Sequence, residues 1–259
     1  MARLATGIPE LDSLLYGGFP DKSVIMLMGF PGCGYVEFAQ QFMCYGLQHG
    51  CLGEYFTSRR TAQEVLESMK FIDPDVTEHF DTGKLTFVDA YTSRLREFAS
   101  QMNLPTTTED LGEGDAFWNI DALERLNIFI SEAKEKEGEI RGIVDNLSYL
   151  LRNESLEEVV DLVEKLEFRT RILGGVYLLI LIEAMHDERT IATISDIMDG
   201  IIQFVEKQKG TSLETNLRFI KMEKTDFNTR TIPYIMVKTG IPYRTTIRGI
   251  EVETTRRIY

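Results

Sequence analysis

The chain has 259 residues, 43% of them apolar, with 28 Lys and Arg against 41 Asp and Glu, a net charge of −13 and a pI near 4.8. That length accommodates one large α/β domain or two small ones around an ample core, and the acidic balance disfavours unaided binding to nucleic acid, where affinity comes mainly from Lys and Arg displacing counterions. Cys33, Cys44 and Cys51 lack C-x-x-C spacing, residues 1–7 contain no apolar signal core, and the strongest apolar run, Val176–Ile182, is far below the roughly 18 residues that span a bilayer; the expectation is a soluble cytoplasmic protein with buried thiols and no membrane association.

Short apolar runs alternate with helix-period segments, which predicts a mostly parallel sheet with helices on its faces. Ser23–Met28 reads as a buried strand, ends in the glycine-rich turn Gly29–Gly34, and runs into a helix striped by Phe38, Phe42 and Leu47. Glu54–Ser58 and Lys84–Ala90 are further strands with a helix over Thr61–Met69 between them, a spacing that suits βαβ units. From Tyr91 to Asp115 the pattern turns polar, with Leu104-Pro105, three threonines, Gly112 and Gly114, and predicts a surface excursion at about 91–115. Phe117-Trp118 reads as packing that anchors it. A helix over about 119–136 leads to the strand Ile140–Val144. Ser155 with Glu158 forms a capping box for a helix that carries Leu156, Val159, Val160, Val163 and Leu166 on one face, and Tyr177–Ile182 is a central strand. Beyond Asp199, Leu217–Met222, Ile232–Val237 and Ile247–Val252 are candidates for an antiparallel edge. With no low-complexity linker and no internal repeat, residues 1–259 are read as a single domain.

Gly29-Phe-Pro31-Gly32-Cys33-Gly34 has the glycine spacing of a phosphate-binding loop, G-x-x-x-x-G-K-[ST], in the required place between a strand and a helix. Its last two positions are Tyr35 and Val36. In a working loop the lysine ammonium lies against the β- and γ-phosphates, the hydroxyl holds Mg²⁺, and backbone N–H groups wrap the phosphates. Tyrosine supplies no cation and valine no ligand. The lost charge pair forfeits about 4 kcal/mol at about 4 Å and an effective dielectric of roughly 20, or roughly a thousandfold in affinity. The preferred reading is that the glycines serve the turn and Tyr35 fills the vacated space. Cys33 stands near a helix N-terminus, which can activate a thiol, but reads better as a small buried turn residue. His49, His79 and His186 are scattered, no cluster has metal-ligand spacing, and sequence order reveals no nucleophilic triad.

Thr6-Gly-Ile-Pro-Glu-Leu-Asp12, then Gly17-Gly18-Phe-Pro20, directly precede the first buried strand and its loop. Gly142-Ile-Val-Asp145-Asn-Leu-Ser148 follows at the fourth predicted strand, and Ile194-Ser195-Asp196 with Asp199-Gly200-Ile201 comes later. In this order the segments resemble the KaiC-like branch of the RecA superfamily of P-loop ATPases: its opening T-G-I-P-x-L-D…G-G-[IF]-P, its Walker B strand, and its I-S-x…D-G-[IV] segment. The resemblance covers most of the chain and implies an α/β, RecA-like P-loop NTPase fold with a mostly parallel sheet and C-terminal antiparallel edge strands. It also implies rings with ATP at the subunit interface.

Carried over residue by residue, the resemblance exposes departures. The family's second strand ends in two glutamates, one of which polarises the attacking water; here Arg59 and Arg60 stand there, and a guanidinium cannot accept a proton from water. A K-x-R pattern on a late strand contacts the γ-phosphate of a neighbouring subunit's ATP, whereas Lys221-Met222-Glu223 keeps the lysine and reverses the charge of the arginine. Asp145, which in the family orients Mg²⁺ through water, reads here as a salt-bridged carboxylate beside the loop. The resulting expectation is a pseudo-ATPase with no cofactor and no catalytic residues: a regulatory or scaffolding module for a protein or peptide partner, forming homo-oligomers or hetero-oligomers with an active relative. Two alternatives stay open. One is a nucleotide binder or slow ATPase using ATP and Mg²⁺, in which Arg59, Arg60 or Lys221 replaces the loop lysine. The other is a DNA-binding recombinase paralogue, which the acidic charge disfavours. Loss of hydrolysis is better supported than loss of all nucleotide binding.

Overall fold

A computed structural model of the chain describes residues 2–104, 122–131, 138–209, 212–226, 231–237 and 244–247. The first half holds β1 (Arg3–Leu4), α1 (Pro9–Leu14), β2 (Phe19–Pro20), β3 (Ser23–Gly29), α2 (Tyr35–Gln48), β4 (Leu52–Thr57), α3 (Ala62–Met69) and α4 (Val76–Asp81). Next come β5 (Leu85–Asp89), α5 (Ala90–Gln101), α6 (Ala122–Ser131), β6 (Ile140–Asp145), α7 (Leu147–Asn153) and α8 (Leu156–Leu173). The remainder holds β7 (Val176–Ile182), α9 (Glu188–Ile197), β8 (Gly200–Lys209), β9 (Ser212–Met222), β10 (Ile232–Val237) and β11 (Arg244–Ile247).

A nine-stranded sheet in the order β11-β10-β9-β8-β3-β7-β6-β4-β5 carries the fold. The run from β8 to β5 is parallel, and β9, β10 and β11 continue it antiparallel. Every residue of β3 and β7 is buried, because helices cover both faces. Ile25, Leu27, Leu178 and Ile180 join one core layer with Phe38, Ala39 and Phe42 of α2; Val24, Met26, Leu179 and Leu181 join the other with Val159, Leu162 and Leu166 of α8. The architecture is therefore the expected α/β fold with a mostly parallel sheet and an antiparallel edge.

Two of the ordered motifs are structural clasps. The Asp12 Oδ1 accepts from Thr6 N–H at 2.6 Å and from the Thr6 hydroxyl at 2.7 Å, closing the opening segment on itself. At Gly18, with φ +120°, a Cβ would stand 2.2 Å from the Leu4 carbonyl oxygen, so the β1/β2 approach excludes any side chain. Asp199 extends β3 at its start: its Oδ2 accepts from Val24 N–H at 2.9 Å, and its own N–H donates to Val24 C=O at 2.9 Å.

The surface excursion expected at 91–115 needs correction at its start. Residues 91–101 belong to α5, a helix capped by Asp89, whose Oδ1 accepts from Thr92 N–H at 2.8 Å. No glycine or proline interrupts residues 90–102, and Ala90, Thr92 and Ala99 give the helix a narrow buried face beneath its polar residues. Residues 105–121, including Phe117-Trp118, lie outside the described residues, as do the ends of the predicted 119–136 helix, of which α6 is the described part. Of the last predicted strand, Ile247–Val252, only Ile247 is described, as the final residue of β11; residues 248–252 lie outside the described residues. Among the described residues no helix is long and apolar enough to cross a membrane.

Candidate functional site

The loop between β3 and α2 is shaped by its glycines. Gly32 and Gly34 take φ values of +87° and +95°. At Gly29 a Cβ would lie 2.9 Å from both the Cys33 Sγ and the Phe204 Cβ. The Gly34 carbonyl accepts from Phe38 N–H at 3.0 Å and from the Tyr234 hydroxyl at 3.2 Å, which ties the loop to the edge strand β10. Tyr35, at the lysine position, is 3% exposed. Its ring meets Phe204 edge-on at 6.2 Å, and Phe204 in turn meets Phe38 at 5.7 Å and Tyr234 at 5.4 Å. Such edge-to-face pairs contribute beyond the area they bury. Val36 packs against the same core layer, while Pro31 is exposed at the loop's tip. Burial pushes the Cys33 thiol and the Tyr35 phenol each up to about 12, so both are neutral at physiological pH and Cys33 is not an activated nucleophile.

Asp145 closes β6 behind the loop. Its Oδ2 accepts from the Tyr55 hydroxyl at 3.2 Å and lies 3.8 Å from the Arg60 guanidinium, while its Oδ1 is buried without a hydrogen-bond partner among the described residues. Arg60 is half-buried, and Arg59 is exposed close enough to favour the charged forms of both Tyr35 and Asp145. Glu37, in the first turn of α2, acts on them in the opposite sense; sequence reading passed it over because its significance comes from spatial closeness to Asp145. The structure thus brings together Gly29, Pro31, Gly32, Cys33, Gly34, Tyr35, Val36, Arg59, Arg60 and Asp145.

Lys221 stands apart and corrects its assignment as a neighbour of this loop. In the β8/β9 register Phe204, beside Gly29, faces Leu217, whereas Lys221 faces Ile201, three β8 positions or about 10 Å further down the sheet. Its ammonium donates to the Asp196 carbonyl at 3.1 Å and lies 3.5 Å from the Glu223 carboxylate. A strand read in isolation does not reveal which end of the sheet a residue occupies.

Burial raises the Asp145 carboxyl above its ordinary value, against the opposing pull of Arg60, Tyr55 and Arg59. A carboxylate whose folded pKa is raised holds its proton more tightly in the native state. Its ionisation therefore lowers stability as pH climbs from the unfolded pKa through the folded one. Asp145→Asn is expected to melt higher than the wild type at pH about 8, with the gap closing in acid where the wild-type group is itself protonated. A lower melting temperature at alkaline pH would mean that the Arg60 pair outweighs desolvation.

A glycine loop between a central parallel strand and its helix, with an acidic residue ending β6 two strands away in the same parallel sheet, defines a RecA-like P-loop fold. The chain belongs to the KaiC ATPase family, whose model, described as "ATPase: KaiC", matches residues 4–244. It is 29% identical over 246 residues to a UPF0273 protein of Aeropyrum pernix, covering 92% of each chain. With a UPF0273 protein of Thermotoga maritima it shares 35% identity over 99 residues, 38% of this chain and 41% of that relative. Among solved structures, the KaiC-like protein PH0186 of Pyrococcus horikoshii superposes with a TM-score of 0.65 at 22% identity, over 94% of this chain and 99% of that one.

Proposed function

We propose that this KaiC-family chain does not hydrolyse ATP: it is a pseudo-ATPase that serves as a regulatory or scaffolding module for a protein or peptide partner, self-associating or joining an active relative. The observation that carries this reading is the Tyr35 ring, 3% exposed among Phe204 and its neighbours where a working loop places a cation. The other residues fit Mg-ATP no better. Val36 is an aliphatic side chain packed on the core, and the Glu37 carboxylate already complements the N-terminal end of α2. Arg59 and Arg60 cannot serve as a base. Fold-defining residues are meanwhile kept, as in the Thr6–Asp12 clasp.

Calorimetric titration with Mg-ATP, run beside a phosphate-release assay, tests the reading. The expected result is millimolar binding or none, with release at the buffer rate. Micromolar affinity abolished by Arg59→Ala would favour the nucleotide-binding alternative instead, and steady phosphate release would overturn the proposal. Sedimentation over a concentration series tests the scaffold part, which expects growing oligomers; a chain that stays monomeric throughout, alone and with its relative, counts against it.

A further inference from the structure

A cleft of about 370 Å³ opens beside the loop, outside the carboxyl ends of β4 to β7, where open α/β sheets bind ligands. Three arginines line it: Arg59 after β4, Arg94 from α5 and Arg152 from α7. Two of them share one aromatic support. The Arg94 guanidinium sits 4.9 Å from the Tyr149 ring centroid and 5.3 Å from that of Tyr91, and Arg152 lies 5.9 Å from Tyr149. Arg94 also donates to the Ser58 carbonyl at 3.5 Å.

Among the described residues the lining contains no carboxylate, and none of the three arginines forms an ion pair. Asn146 adds to the donors, since its Oδ1 is engaged by Tyr149 N–H at 2.8 Å and its amide N–H groups are what it has left to offer. On a chain with 41 acidic against 28 basic residues, such a grouping reverses the overall balance. Guanidiniums gathered in one concavity repel each other unless an anion lies among them. Arginine, with its planar fork, suits phosphate oxygens bidentately, and three positive charges match a phosphoryl group better than a single carboxylate. The volume falls at the low end of small-molecule sites, about 300–1,000 Å³.

We propose that this cleft binds a small phosphate-bearing metabolite, with Arg94 and Arg152 clamping its phosphoryl group and Arg59 closing the side next to the loop. Pro31 and Arg59 border both this cleft and the loop, whereas Tyr35 and the loop glycines take no part in it. Inorganic pyrophosphate is the probe, titrated calorimetrically into the whole chain at low ionic strength. A saturable one-site isotherm is expected, weakened about tenfold by Arg152→Gln and at least as much by Arg94→Gln. Arg152 is exposed, so its replacement leaves packing intact and keeps the test valid if the Arg94 variant unfolds. Arg171→Gln, exposed on α8 outside the cleft, is expected to change nothing. AMP binding tighter than pyrophosphate, with the same arginine dependence, would support a free organic phosphate as the occupant. No isotherm, or one that Arg152→Gln leaves unchanged or Arg171→Gln weakens equally, overturns the assignment.

Discussion

Arg169→Met is expected to destabilise the chain by about 3–5 kcal/mol, read as a lower urea midpoint with an unchanged slope. Arg169 reaches from α8 into the sheet, where its Nη1 and Nη2 donate to the two Glu54 carboxylate oxygens at 2.8 and 2.9 Å. The Tyr177 hydroxyl bonds to Glu54 and accepts from Arg169, completing a triad across β4, β7 and α8. Glu54 is 2% and Arg169 8% exposed, so removing the cation leaves a buried carboxylate without its counter-charge. The ring of Tyr177 occupies the space above Gly142, where a Cβ would meet it at 1.9 Å, so the network has little room to relax. The paired change Glu54→Leu with Arg169→Met should recover much of the loss, because two apolar side chains need no partners. A single mutant within about 1 kcal/mol of wild type would mean that water reaches the Glu54 carboxylate.

Tyr35→Lys combined with Val36→Thr should separate nucleotide binding from hydrolysis. Loss of the buried ring is expected to reduce stability by about 3 kcal/mol, visible in a thermal melt without ligand. The restored ammonium and hydroxyl should tighten Mg-ATP binding by roughly a hundredfold to a thousandfold. Phosphate release should stay at the buffer rate, because Arg59 and Arg60 remain where the resemblance places the family's two glutamates, one of which polarises the attacking water. Turnover in this double mutant would show that the arginines do not block the reaction. Unchanged affinity would place the obstacle elsewhere, with the Glu37 carboxylate the nearest candidate.

The central strands were legible because burial on both faces leaves continuous apolar runs, as in Val176–Ile182. The loop was legible from glycine spacing alone, and the α8 capping box forms as read, with Ser155 and Glu158 bonding reciprocally. Helix α5 was missed because its buried face is only three small residues wide, so its period is hidden by Ser, Arg and Glu. Strand β8 was not singled out either: Gly200–Lys209 begins apolar and ends in charges, and its pairing with β3 depends on contacts far apart in sequence. The arginine cleft was out of reach for the same reason. Arg94 and Arg152 lie 58 positions apart and line one cleft only because α5 and α7 follow β5 and β6, which flank β4 in the parallel sheet. Arg59 was noticed only through resemblance to the family's glutamates.

A P-loop whose lysine must be held by phosphates is most stable when nucleotide is present, so such a protein's melting point follows the concentration of its ligand. Here the Tyr35 ring is packed against Phe204 and a neighbouring strand fastens the turn through Tyr234. A loop held by contacts from its own chain is expected to fold indifferently to the energy charge of the cell.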